Sequence, residues 1–226
     1  MNLDFSDDQK FLQDEARKFF DKEGGLTNTR KVMDENLSHD EVLWGKVLEL
    51  GWTGIRIPEE YDGLGLGHLE LCVIAEEIGR ALAPIPFSSS VYLFTEAIIK
   101  YGSDEIKKNI LPKLVTGEVV GTYAVAEDMM AITEATLSCA VEGDSINGAK
   151  IAVPDAELAT HAVVLVKGAK GPELRLVDLN SDGVEISLQK NLDKSRAFYK
   201  VNFNNTQSSL LGEQGSGWES HVHIMD

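Results

Sequence analysis

The chain has 226 residues, 43% of them hydrophobic, with a formal net charge of −16 and an isoelectric point near 4.7. That length supports one large domain or two of ordinary size, each able to bury a core. The acidic balance makes the chain a poor candidate for phosphate-backbone binding, which needs clustered Lys and Arg, and no run approaches the roughly 18 apolar residues of a membrane span.

Cys72 and Cys139 stand in apolar patterns and are expected as small core hydrophobes. No spacing of Cys or His suggests a metal site or a disulfide framework. The opening MNLDFSDDQKF is acidic and lacks the apolar stretch of a signal peptide. A reducing, cytoplasmic compartment is the expectation.

The first half reads as helices. Ser6 with Gln9 makes a capping box, and Phe11, Leu12, Ala16, Phe19 and Phe20 follow at helical spacing until Gly24-Gly25. Ser38 with Glu41 predicts a second cap, leading Leu43, Val47 and Leu50 inward to Gly51. The stretch Trp52 to Gly67 alternates Gly63, Gly65 and Gly67 with leucines between helical flanks. It predicts a tight loop, because a dinucleotide fingerprint follows a strand and opens a helix. His68 caps or begins the next helix, over Leu69 to Ala83, with Val73, Ile74, Ile78 and Leu82 inward. Ser88 to Ser90 open a fourth helix to Tyr101. A fifth starts at Gly102-Ser103 and runs to about Thr116, with Pro112 near a bend.

The second half reads as strands: Val119 to Ala126, Thr136 to Val141, Ala149 to Val153, His161 to Val166, Leu174 to Leu179, Val184 to Leu188, Phe198 to Phe203 and Leu210-Leu211. A turn at Glu142-Gly143-Asp144 and an Asn147-Gly148 hairpin signal fall among them. Turn signals every eight to twelve residues or so suggest a sandwich or barrel. The expected fold class is α+β: an N-terminal helical bundle, 1–117, then an antiparallel β-domain, 118–211. Residues 212–226 read as a glycine linker and the first turns of a helix, Trp218 to Met225. Its apolar residues have nothing to pack on within a domain of their own, so the chain is expected to continue. His221 and His223 are two apart and share no helical face, which argues against a metal site.

This plan resembles the acyl-CoA dehydrogenases over essentially the whole chain. LGWTGIRIPEEYDGLGLG, ELCVIAEEIGRALAP, YGSDEIKKNILPKLVTGEVVGTYAVAED, EGDSINGAKIAV and LLGEQGSGW carry the likeness. The resemblance implies α,β-dehydrogenation of an acyl-CoA thioester by FAD, within fatty-acid and lipid metabolism. It implies a C-terminal helical domain that holds the catalytic base and is absent from this chain. No catalytic residue is therefore assigned here. It further implies a homo- or hetero-oligomer with another such subunit, and electron-transfer flavoprotein as a redox partner.

Carried over residue by residue, the cofactor positions are Tyr123, Val125, Ala126, Val153 and Pro154, and the substrate positions are Met130, Ala131 and Ile132. Glu127 matches a structural glutamate of the family. Several positions depart from the pattern. Ala126 and Asp128 stand where the family has Thr and Pro. Met129 to Thr133 replace a Gly-Ser-Asp. Ala152 replaces an aromatic wall, and Pro154 removes a hydroxyl and a backbone donor. Three readings are open: part of a flavin-dependent dehydrogenase that is inactive as this piece alone, a non-catalytic subunit of a heteromeric complex with a degraded flavin site, or an acyl-CoA-binding module.

Overall fold

The computed structural model describes residues 4–226. Residues 1–3, where the opening read as no signal peptide begins, lie outside the described residues. Helix α1 (Asp7–Glu23) starts at the expected capping box, Gln9 N donating to Ser6 Oγ at 3.2 Å and Ser6 N to Gln9 Oε1 at 3.0 Å. Ala16 and Phe20 are buried, but Phe11 is 68% exposed.

A helix that the pattern did not foretell comes next, α2 (Leu26–Glu35). It buries only Thr29 and Val32, so it offers little apolar period to read. Helix α3 (Glu41–Glu49) is capped by Asp40, which accepts from Leu43 N at 3.0 Å. The expected cap, Ser38, instead pairs with His39 Nδ1. Leu50 is exposed, because the helix ends before a further turn could carry it inward.

The glycine stretch folds as two short 3₁₀ turns. Helix α4 (His68–Ala81) begins at His68 and buries Val73 and Ile74. Cys72 and Leu82 face outward, Leu82 as the left-handed cap of the helix, contrary to the core roles expected. The serines at 88–90 do not open an ordinary helix. Ser88–Phe94 is a π-helical segment leading into α5 (Thr95–Tyr101). Its wide turn is fixed because Thr95 donates both its N–H and its Oγ1 to Ser90 O, five residues back. Helix α6 (Asp104–Thr116) holds Pro112 near its end.

Eight strands then form one sheet: β1 (Gly121–Ala124), β2 (Ala140–Glu142), β3 (Ser145–Pro154), β4 (His161–Gly168), β5 (Gly171–Asp178), β6 (Val184–Gln189), β7 (Phe198–Gln207) and β8 (Ser209–Leu211). The order is β6-β7-β3-β2-β4-β5-β8, with β1 on β4. Pairing is mostly antiparallel, but β1 and β2 each run parallel to β4, which the sequence did not indicate. Residues 134–136 form a 3₁₀ turn rather than the start of a strand. The β2–β3 connection turns at Gly143-Asp144 as expected. Asn147-Gly148 makes no turn; it lies inside β3 at a bulge, with Gly148 at φ 135°.

β4 explains its continuous apolar run. Val163 and Leu165 face a cluster shared with Phe94, Leu111 and Tyr123, whereas Ala162, Val164 and Val166 face a second cluster with Val201 and Phe203. Both faces are covered, so period-two alternation vanishes from the sequence. The first cluster welds the helices to the sheet. Gly121 is required there, since a Cβ would meet Phe94 Cγ at 2.0 Å. Helix α7 (Gly217–Met225) closes the described chain. It does have a surface to pack on: Ile224 is buried in that same cluster and Trp218 packs against it.

Candidate functional site

β1 is buried along its whole length, and its exit is where the candidate residues gather. Past Ala124 the chain leaves β4 and turns its carbonyls toward β3. Val125 O accepts from Lys150 Nζ at 3.0 Å, and Ala126 O accepts from Ile151 N at 2.8 Å. Val125 and Ala126 are half-buried, and among the described residues neither N–H finds an acceptor.

A buried ion pair fixes this geometry. Lys150 Nζ lies 2.7 Å from Glu127 Oε1, with its side chain wholly buried and that of Glu127 9% exposed. Glu127 also accepts from Ser138 N at 2.7 Å, Ser138 Oγ at 2.5 Å and Cys139 N at 3.1 Å. Burial alone would push the Glu127 carboxyl up. The Lys150 ammonium and the Ser138 donors outweigh it and hold the carboxyl below its usual range. Burial draws Lys150 down from its ordinary value, with Glu127 opposing. A pair this enclosed and this fully hydrogen-bonded stays charged, and Glu127 is occupied as a structural anchor. It is not free to abstract a proton.

The remaining candidates divide. Tyr123 is buried in the helix–sheet cluster, and Ile132 packs on the same cluster. Met130 is 76% exposed and Ala131 is exposed, so the expected substrate trio does not converge on one surface. Val153 is buried in the opposite cluster. Pro154 O accepts from Thr122 Oγ1 at 2.6 Å, and Pro154 has no N–H to offer. Next to them Ala152 sits at φ 51°, and its N–H is taken by Gln189 Oε1 at 2.6 Å. The β3 exit is thus closed.

Two residues joined to Tyr123 went unassigned in the sequence. The His221 ring stacks on Tyr123 with centroids 5.8 Å apart and 18° between planes, and Tyr123 Oη lies 3.2 Å from His221 Nδ1. Trp218 meets His221 edge-on at 5.7 Å. Positions 218 and 221 are three apart and share a helix face, but nothing in the sequence ties that face to Tyr123. Burial pushes the His221 imidazolium below the ordinary range, and nearby Lys150 adds to it, so the ring is neutral near pH 7. Burial pushes the Tyr123 phenol up. Among the described residues no group of His, Cys, Asp and Glu is placed to hold a metal.

A flavin ring carries carbonyl oxygens and ring nitrogens along its polar edge. The two open N–H groups of the β1 exit, at a half-buried rim, are donors of the kind such an edge needs. The β3 exit supplies neither an aromatic wall nor a further donor.

Known proteins resemble this chain in sequence and in fold. A family model described as acyl-CoA dehydrogenase, N-terminal domain, matches residues 6–118. The chain is 30% identical over 205 residues to the mitochondrial isovaleryl-CoA dehydrogenase of Solanum tuberosum, covering 85% of this chain and 49% of that protein. Among solved structures, the acyl-CoA dehydrogenase of Bacillus anthracis complexed with FAD superimposes with a TM-score of 0.85 at 25% identity, over 98% of this chain and 41% of that one. The acyl-CoA dehydrogenase of Geobacillus kaustophilus superimposes with a TM-score of 0.88 at 22% identity, over 100% and 63%, a likeness of fold. The chain spans about half the length of the curated relatives it matches.

Proposed function

The chain belongs to the acyl-CoA dehydrogenase family, and from that premise we propose that it supplies the helical and β-sheet portions of an FAD-dependent dehydrogenase acting on an acyl-CoA thioester. FAD, when bound, accepts the hydride from the β-carbon. This chain's part is to hold and orient. The Val125 and Ala126 N–H groups grip an acceptor edge, Lys150 and the Ile151 amide keep their carbonyls turned away, and Tyr123 and Ile132 shield the floor from water. The α-proton goes to a base outside these residues, because Glu127 is committed to Lys150. The piece alone is inactive, and measurable turnover by residues 1–226 would contradict that.

One observation carries the reading: two adjacent backbone donors without an acceptor among the described residues, at the end of a buried strand. The test is the colour of the full-length protein. It should purify with flavin absorbance that bleaches on adding an acyl-CoA. A colourless protein that takes up no FAD sinks the proposal.

A second reading has its own support, because Ala126 lacks a hydroxyl, Ala152 spends its N–H on Gln189, and Pro154 has none. It makes the chain a non-catalytic subunit that completes a site with a related partner. In that case dehydrogenation would appear only on mixing with the partner.

A further inference from the structure

The tautomer of His221 can be read from its neighbours. The Tyr123 hydroxyl is buried and needs an acceptor; among the described residues His221 Nδ1, 3.2 Å away, is the one it has. Tyr123 Oη therefore donates to Nδ1, and the ring proton of neutral His221 resides on Nε2. That Nε2–H has no acceptor among the described residues. The ring is held in place by stacking on Tyr123 and by the edge of Trp218, so this donor is oriented in advance.

It also lies in the same neighbourhood as the other open donors. Tyr123, on β1, and Val125, just past its end, pack on one cluster with Trp218. The Lys150 charge that Val125 O accepts from is also felt at His221. Val125 and, through its stacking on Tyr123, His221 are thus attached to one cluster, and each carries an open donor among the described residues.

We propose that His221 is a ligand-binding residue of this chain, whose Nε2–H supplies a side-chain hydrogen bond to the acceptor edge of the flavin. The assignment rests on the proposed function, in which FAD is the ligand. It makes α7 part of the binding surface rather than only a connecting segment.

The experiment titrates the FAD-free full-length protein with FAD and follows flavin fluorescence and the visible spectrum. Melting of each FAD-free variant reports folding separately. His221→Ala should weaken binding about five- to tenfold, the worth of one neutral hydrogen bond, and shift the visible band. His221→Gln, which keeps an N–H donor, should recover most of the loss. Tyr123→Phe, which releases the tautomer, should weaken binding about two- to threefold. FAD affinity and spectrum unchanged in His221→Ala would overturn the assignment while leaving the functional reading intact. So would a folded His221→Gln that binds as poorly as His221→Ala, since that marks a packing role. A wild-type full-length protein that takes up no FAD would overturn the functional reading and this assignment together.

Discussion

The exits of β1 and β3 lie side by side, bridged by Ile151 N donating to Ala126 O, yet they do opposite things. At the β1 exit the carbonyls of Val125 and Ala126 are consumed by structure and the amides are left open. At the β3 exit the Ala152 amide is consumed by Gln189 and the next two residues end in proline. A strand end can serve a ligand's acceptors only when the fold spends its carbonyls and spares its amides. The difference arises from one buried ammonium, Lys150, which draws a carbonyl and the Glu127 carboxylate to the same side.

The largest way to break this contrast is therefore Lys150→Met. It leaves Glu127 buried without its cation, and removing one partner of a buried pair costs about 3–5 kcal/mol. Urea denaturation should show that loss, together with faster amide exchange at 125–127. Next in size is Gly121→Ala, which forces a methyl into the Phe94 ring and disturbs the strand that carries the open donors. Overpacking of this kind costs about 1–3 kcal/mol, read as a lowered melting temperature.

Gln189→Ala sharpens the contrast from the other side. It frees the Ala152 N–H and makes the β3 exit resemble its neighbour, at a cost of about 1 kcal/mol by denaturation. The pH dependence is smaller but has a definite sign. Because the Glu127 carboxyl is held below its ordinary value, its contribution is complete above its unfolded pKa of about 4.3 and is lost as pH falls through the lower folded value. Glu127→Gln should remove that part of the acid-side loss. Met129→Ser and Met130→Ser, on the exposed loop, should change stability by no more than about 0.5 kcal/mol.

Most of the fold was legible because its signals are local. The Ser6–Gln9 box, the run of β4 and the glycine-rich loop all act within a few residues. Helix α2 was hidden because a helix that buries two side chains leaves almost no period. Asn147-Gly148 misled because the bulge that presses Gly148 onto Cys139 uses the same glycine freedom as a turn. Of the positions that the resemblance implied, Tyr123, Val125 and Ile132 pack on one cluster, and Ala126 follows Val125 past the end of β1. Met130 and Ala131 do not join them, since nothing in the described chain covers that loop. The partnership of His221 with Tyr123 spans 98 residues, and no local pattern encodes a contact made by packing α7 against the sheet.

The most direct test of the central contrast is hydrogen exchange of the full-length protein with and without FAD, resolved at the two strand exits. Exchange at Val125 and Ala126 should slow on adding FAD, while Ala152, already bonded to Gln189, should not change. Slowing confined to Ala152, with Val125 and Ala126 unaffected by bound FAD, would contradict the account.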